Sequence, residues 1–315
     1  MSEMFHYHVK PEDPCIGQRM DVAIHLLLPE FSRSKIAQAI RGGWILKNQS
    51  KVRPKTILAA GDFLEADLSY FVTAPILPEK WELPILYEDD YLMAINKPFD
   101  MIVHPTETVR KHTLVNYLLG SGRELSQGSH PDRPGIVHRL DAQTTGVILI
   151  AKNELAHERL ASAFREHRIQ KEYLAICEGR WHADHLYLEQ PIGRNPKNPQ
   201  KRAVLPDGKN AISIFHTLAL SDSLSFLKVQ ILTGRTHQIR VHASYMGHPI
   251  AGDELYGFRK SRFHPEHQLL HAFRIHFTHP VTGKKIRLSA MPDATMMHWI
   301  HAQGFTDAWN TIYNQ

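Results

Sequence analysis

The run VILIA at residues 147–151 has neither a helical period nor a polar face. Such a run reads as a strand buried on both sides, so the chain must build a sheet with cover above and below it. Immediately before it stands HRLDAQTTG, residues 138–146. Arg139 and Asp141 are two apart, so an extended segment turns both to one side and Leu140 to the other. Small and polar residues from Ala142 to Gly146 suit a tight loop feeding the strand. A carboxylate there sits on a rigid element, and beside an arginine it stays ionised, as a nucleophile or a base must. A structural ion pair would give the same pattern, so this segment alone leaves both readings open.

The elements around that strand change character along the chain. Residues 1–17 read as an N-terminal tail, and residues 18–69 as a small unit. In that unit Met20, Ile24 and Leu27/Leu28 form one helical stripe, and Pro29 breaks it. Ser32 or Ser34 caps a second helix whose apolar face is Ile36, Ala39 and Ile40. Gly42-Gly43 ends that helix, and short strands follow at 44–48 and within 56–68, with Gly61-Asp62 as a turn. The proline-punctuated stretch 70–84 reads as a linker. Residues 85–315 carry strands near 85–87, 92–96, 147–151, 171–178, 211–219 and 224–232, and another within 271–280. Helices are expected near 112–119, 154–166 and 237–246. Helix and strand do not alternate regularly, so the expected class is α+β with a mixed, mainly antiparallel sheet. A length of 315 residues fits one large domain beside one small one.

Charge points to a partner. The net charge of +5 is mild, but the distribution is uneven. Residues 33–55 hold seven Lys/Arg and no acid, and residues 194–202 hold four and no acid. Contacting several phosphates needs such clustering, although a solvated basic face looks the same. The two cysteines form no C-x-x-C pair, and no apolar run approaches membrane-spanning length. A reducing, cytoplasmic setting is the expectation. The 22 histidines include no H-E-x-x-H, and neither phosphate-binding glycine motif occurs, so no metal and no nucleotide cofactor is expected.

Two further segments carry chemistry. In LTGRTHQIRVH, residues 232–242, a strand runs through a turn into a helix, with Arg235, Thr236, His237, Gln238 and Arg240 clustered at its start. Donors at a helix N-terminus favour anions, although an ordinary capped amphipathic helix would also read this way. In QKEYLAICEG, residues 170–179, Tyr173 lies in a strand with Lys171 two residues before it on the same face. A strand tyrosine is more often packing than function.

Taken in order, ILYEDDYLMAINKPFDMIVHP (85–105), GIVHRLDAQTTGVILIAKN (135–153), KEYLAICEG (171–179), LTGRTHQIRVHASYMGHPIAGDELYG (232–257) and LLHAFRIHFTHPVTG (269–283) resemble the RluA-type RNA pseudouridine synthase family. Residues 18–66 resemble, more weakly, the alpha-L RNA-binding module named after small-subunit ribosomal protein four. The resemblance implies a pseudouridine synthase fold over 85–315. It also implies a reaction in which the glycosidic link of a uridine moves from N1 to C5 of the same base. Nothing is oxidised and nothing leaves, so no cofactor is implied. Asp141 matches the family nucleophile, Tyr173 the tyrosine that stacks on the base, and Arg235 the arginine that pairs with the carboxylate. Arg139 matches the residue that fills the space left by the extruded uridine. His138, Arg139, Thr236, His237, Gln238 and Arg240 are then candidate RNA contacts. In the small unit Arg33, Lys35, Arg41, Lys47, Lys51 and Arg53 are candidates too. Three positions differ from the family pattern: Thr145 stands for serine, Asp100 for glycine, and LKNQSK at 46–51 replaces a VNG turn. The expected partner is RNA, large-subunit ribosomal RNA ahead of transfer RNA, with a monomeric enzyme and no membrane. A binding or ribosome-assembly factor without catalysis is the competing reading.

Overall fold

The computed structural model describes residues 4–72, 75–106, 108–128 and 130–315. The chain divides into two compact units, residues 1–75 and 76–315.

In the first unit, strand β1 (Met4–His8) precedes helices α1 (Met20–Leu27) and α2 (Arg33–Gly42), and strands β2 (Ile45–Lys47) and β3 (Phe63–Asp67) follow. The three strands form an antiparallel sheet in the order β1-β3-β2. Met20, Ile24, Ile36 and Ile40 are fully buried, as the helical stripes required. Ser32 is the cap of α2, accepting the Lys35 N–H, and Gly43 ends the helix at φ 81°.

Two expectations change here. Residues 4–8 are not a free tail, because β1 pairs with β3 along its whole length. That pairing also explains why residues 56–68 give only one strand. With β1 and β2 on the two edges of β3, the segment before Gly61 has no edge left and makes only a single bridge, Ile57 to Arg19. Where the family has its VNG turn, Asn48 and Gln49 both take positive φ (51° and 60°). The chain therefore makes a left-handed turn here, and the Asn48 side chain braces it by bonding Asp62 and the Phe63 N–H.

The expected linker 70–84 is divided. Thr73 and Ala74 lie outside the described residues, and the unit boundary falls after Pro75. Residues 76–84 belong to the second unit. Glu79 N–H bonds the Asn116 carbonyl at 2.9 Å, and Leu83 is buried in the core.

The second unit contains β4 (Ile85–Glu88), β5 (Leu92–Lys97), α3 (Leu114–Gly120), β6 (Thr145–Ala151), α4 (Glu154–Arg165), β7 (Gln170–Glu178) and β8 (His185–Glu189). It continues with β9 (Ile192–Arg194), β10 (Arg202–Val204), β11 (Ile212–Leu220), β12 (Leu224–Ile231) and α5 (Gln238–Tyr245). It ends with β13 (Leu270–Thr278), β14 (Lys285–Ser289), α6 (Ala294–Ala302) and α7 (Thr306–Tyr313). A nine-stranded sheet runs β4-β5-β6-β13-β7-β12-β11-β8, with β14 beside β13. Only β6 and β13 pair in parallel, so the sheet is mixed and mainly antiparallel, and the α+β class holds.

Strand β6 is buried along its whole length. Ile148 and Ile150 face one apolar cluster with Met93, Ile95 and Leu118, while Val147 and Leu149 face another that includes Ala156 and Leu160 of α4. This two-sided burial is what VILIA required. Gly146 opens the strand at φ 109°, and a Cβ there would lie 2.2 Å from the Ala272 carbonyl oxygen of β13, so no side chain fits. A third cluster packs Phe226 and Phe273 against Ile300, Phe305 and Trp309 of the C-terminal helical segment and covers the central strands β13, β7 and β12.

Candidate active site

A cavity of about 480 Å³ opens where the loop before β6, the strand β7 and the start of α5 meet. Asp141, Tyr173, Lys171, Arg139 and the segment 234–240 line it.

The loop 138–144 is held from both sides. Leu140 is buried in the core, as alternation required. His138 Nε2 accepts the Leu149 N–H at 2.8 Å, and its ring stacks on Phe164 with centroids 4.3 Å apart. Burial, with Lys171 nearby, lowers its pKa to about 3, so the ring is neutral and suited to accept. His138 was a candidate RNA contact. The structure gives its Nε2 to the backbone of β6, because a loop leaving a buried strand needs its polar groups satisfied inside the protein. On the other side Gln268 donates to Thr144 Oγ1 at 2.8 Å. The Lys97 ammonium donates to the carbonyls of Pro98, Met101 and Ala142 at 2.7, 3.0 and 2.8 Å. Lys97 is fully buried, and burial brings its pKa to about 7, with Asp141 and Asp100 opposing the fall. Asp100 takes φ 55°, the conformation for which the family's glycine is suited.

The arginine that pairs with Asp141 is Arg240, not Arg235. Arg240 Nη1 donates to Asp141 Oδ2 at 3.1 Å. Its Nε and Nη2 grip Asp253 at 2.7 and 2.9 Å, a bidentate fork. Asp253 in turn accepts the N–H groups of Leu255 and Tyr256. Burial opposes the guanidinium charge, but Asp253 and then Asp141 outweigh it and hold the group protonated. Arg235 points elsewhere, donating through Nε to the Asn210 carbonyl at 2.8 Å. The physical reason is helical position. Arg235 lies in the turn before α5, whereas Arg240 lies in its first turn, at 7% exposure. Arg240 was expected to contact RNA; in the structure its Nε, Nη1 and Nη2 are instead all engaged by Asp141 and Asp253.

Gln238 is corrected as well. It is 3% exposed, donates to Ile212 O and Ser213 Oγ, and accepts from Thr233 Oγ1 and the Arg235 N–H. Its amide is satisfied internally and braces the turn into α5. Thr236 is exposed at the cavity, as is Arg139. His237 caps α5 at φ 58°, a conformation that is costly for a histidine and marks a constrained position. Its Nδ1 lies 2.8 Å from Tyr256 Oη, which already accepts the Arg202 N–H at 2.7 Å. Tyr256 Oη and Nδ1 share a hydrogen bond, and Nε2 lies 3.9 Å from Asp141 Oδ2. Burial lowers the His237 pKa, with Asp141 opposing. Tyr173 is 8% exposed, and burial, helped by Asp141, raises its phenol well above the usual range.

In the first unit the basic run is less free than its composition suggests, because acids from outside the run meet it. Arg33 pairs with Asp21 at 3.1 Å and Lys47 with Asp62 at 2.7 Å. Lys35 donates to the Phe71 carbonyl at 3.1 Å. Arg41, Lys51 and Arg53 are exposed. The second basic segment, 194–202, is the connection between β9 and β10, closed by the Arg194–Arg202 pair. Among the described residues no three His, Cys, Asp or Glu side chains gather as metal ligands. Among them, too, no helix is long and apolar enough to cross a membrane.

Lys97, Asp253 and Tyr256 were not singled out from the sequence. Asp253 and Tyr256 lie in AGDELYG, a segment whose acid and aromatic are the only trace of their role.

Residues 91–245 match the profile of the RNA pseudouridylate synthase family. An uncharacterized RNA pseudouridine synthase of Bacillus subtilis, YlyB, is 36% identical over 274 residues, 87% of this chain and 90% of that protein. The chain belongs to the RNA pseudouridine synthase family. The ribosomal large subunit pseudouridine synthase D of Vibrio parahaemolyticus is 36% identical to this synthase over 304 residues, 90% of each chain. Among solved structures, human RNA pseudouridylate synthase domain containing 1 superposes with a TM-score of 0.56 at 27% identity, over 67% of this synthase and 84% of that chain. The RluA-type resemblance holds, and with it the enzyme class. The synthase is an isomerase acting on uridine in RNA, and the reading as a binding factor without catalysis is set aside.

Proposed function

We propose that this synthase isomerises uridine in large-subunit ribosomal RNA with Asp141 as nucleophile. The observation that carries the catalytic reading is the asymmetry of one carboxylate. Asp141 Oδ2 is fixed by Arg240, while Oδ1 has no protein partner among the described residues and the side chain opens into the cavity. An oriented carboxylate with one free oxygen is what covalent catalysis requires. Oδ1 attacks C1′ of the sugar or C6 of the base. The N1–C1′ bond breaks, the base turns, a C5–C1′ bond forms, and the bond from Oδ1 to C1′ or C6 breaks to return the free carboxylate. The C5 proton is lost and N1 gains one, so atoms and charge balance. Arg240 keeps the carboxylate aimed. Tyr173 offers a face for the extruded base, and Arg139, exposed at the rim, occupies the gap the base leaves in the RNA.

The ribosomal substrate rests on relatives named ribosomal large subunit pseudouridine synthase D, which align along about 90% of the chain. Mapping pseudouridines by carbodiimide primer extension, in cells with and without the gene, tests it. A site missing from large-subunit ribosomal RNA supports the reading, and a site missing only from transfer RNA overturns the substrate. Asp141→Ala tests the nucleophile. It should abolish product formation while RNA affinity stays within a few-fold, and turnover near the parent level would remove Asp141 from the role.

A further inference from the structure

Lys171 and Tyr173 leave β7 on the same face, two residues and about 6.6 Å apart along the strand. Both line the cavity. The Lys171 ammonium stands 5.9 Å over the Phe164 ring, and a Cβ on Gly234 would come within 3.8 Å of it. Among the described residues no carboxylate, carbonyl or hydroxyl bonds it.

That isolation sets it apart from the other sequestered cations of the same unit. Lys97 has three carbonyls, Arg240 two carboxylates, and Arg274 has Glu172, Ser289 and the Ile312 carbonyl. A partly desolvated ammonium with no counter-charge is unfavourable, and burial alone draws its pKa down to about 8. Arg139 and Arg165 line the same cavity, while the acid in its lining, Asp141, is already held by Arg240 of α5.

We propose that Lys171 binds the phosphodiester of the uridine being isomerised. The assignment rests on the cavity being the uridine site. A nucleotide whose base stacks on Tyr173 beside Asp141 carries its phosphate about one nucleotide's own length away, where the ammonium waits. Phosphate is the anionic group that RNA supplies, and an ammonium on a flexible stem meets it as a point charge.

The test uses the full-length protein with Lys171→Met and Lys171→Arg. The RNA is an unmodified transcript of large-subunit ribosomal RNA or of transfer RNA, whichever the parent protein converts. Binding is measured against salt in an Asp141→Ala background, and turnover with Asp141 intact. Lys171→Met should weaken binding about tenfold or more. It should also reduce the slope of log affinity against log salt by about 0.7–0.9, the share of one neutralised phosphate. KM should rise with kcat within a few-fold, and Lys171→Arg should restore the slope. Tm should fall little, because among the described residues this ammonium has no hydrogen bond or ion pair to lose and methionine keeps an apolar stem beside Phe164. An unchanged slope overturns the proposal, whether kcat alone falls, which would place Lys171 on the base, or Tm falls, which would make it structural. Should Asp141→Ala still form pseudouridine, the site reading itself fails, independently of Lys171.

Discussion

Asp141 has two carboxylate oxygens, and its neighbours treat them differently. Oδ2 takes the Arg240 guanidinium and faces His237 Nε2, while Oδ1 is left to the cavity. The aim of that carboxylate depends on a fork that reaches two acids at once, since Arg240 is already fixed on Asp253. A lysine at this position keeps the charge and cannot span both. Arg240→Lys should therefore lower kcat by about ten- to a hundredfold, the worth of a charged hydrogen bond, with KM within a few-fold. Arg235→Ala, which frees only the Asn210 carbonyl, should lose less turnover than Arg240→Ala. Steady-state kinetics on one RNA transcript decides between them, and equal losses would return the pairing role to Arg235.

At the scale of elements, the parallel pair β6–β13 supports the site, and His271 links it to the rest of the sheet. Thr145 Oγ1 at the start of β6 lies 2.7 Å from His271 Nδ1, and His271 Nε2 lies 3.0 Å from the Ala290 carbonyl. Nε2–H donates to that carbonyl, so Nδ1 accepts the Thr145 hydroxyl and the ring is neutral. The same hydroxyl chemistry explains why threonine stands in place of the family serine. Burial brings the His271 pKa to about 4. The unfolded chain takes up this proton near pH 6.5 and the folded chain only near 4, so folding stability falls as pH drops through that window. At pH 5 the loss is roughly 2 kcal/mol from this residue. His267 works in the opposite sense, because its ion pair with Asp293 outweighs burial and raises its pKa. Urea midpoints at pH 7 and pH 5 should show the parent protein losing more stability than His271→Gln. Equal losses would remove His271 as the source.

At the scale of the whole molecule, the two units have separate apolar cores. One draws on residues from Val9 to Phe71, the others on residues from Leu83 onward. Residues 76–315 expressed alone should unfold cooperatively and still convert uridine, since every residue of the cavity lies within them. Their RNA affinity should depend less steeply on salt than that of the full chain. Each of Arg41, Lys51 and Arg53 that neutralises a phosphate adds about 0.7–0.9 to the salt slope, and the truncated protein carries none of the three. A truncated protein with the parent slope would show that the first unit neutralises no phosphate.

Much of the site was legible in the sequence because its signals are local. VILIA had to be a strand buried on both faces, HRLD had to turn Leu140 inward, and a serine at 32 or 34 had to cap α2, since alternation and capping act over a few residues. The edge strand β1 was not legible, because a five-residue strand becomes one only when β3 offers an edge. The partner of Asp141 was not legible either. Arg235 and Arg240 flank the same turn, and which guanidinium meets a carboxylate 99 residues away depends on the direction of the first turn of α5. The same holds for the basic run. Its charge was written in the sequence, but Asp21 and Asp62, which neutralise part of it, arrive from outside the run. Sequence determined which chemical groups the chain carries and which local elements they ride on. Tertiary structure decided which charges pair and which, like Lys171, are left for RNA, because pairing depends on distance in space and not on distance along the chain.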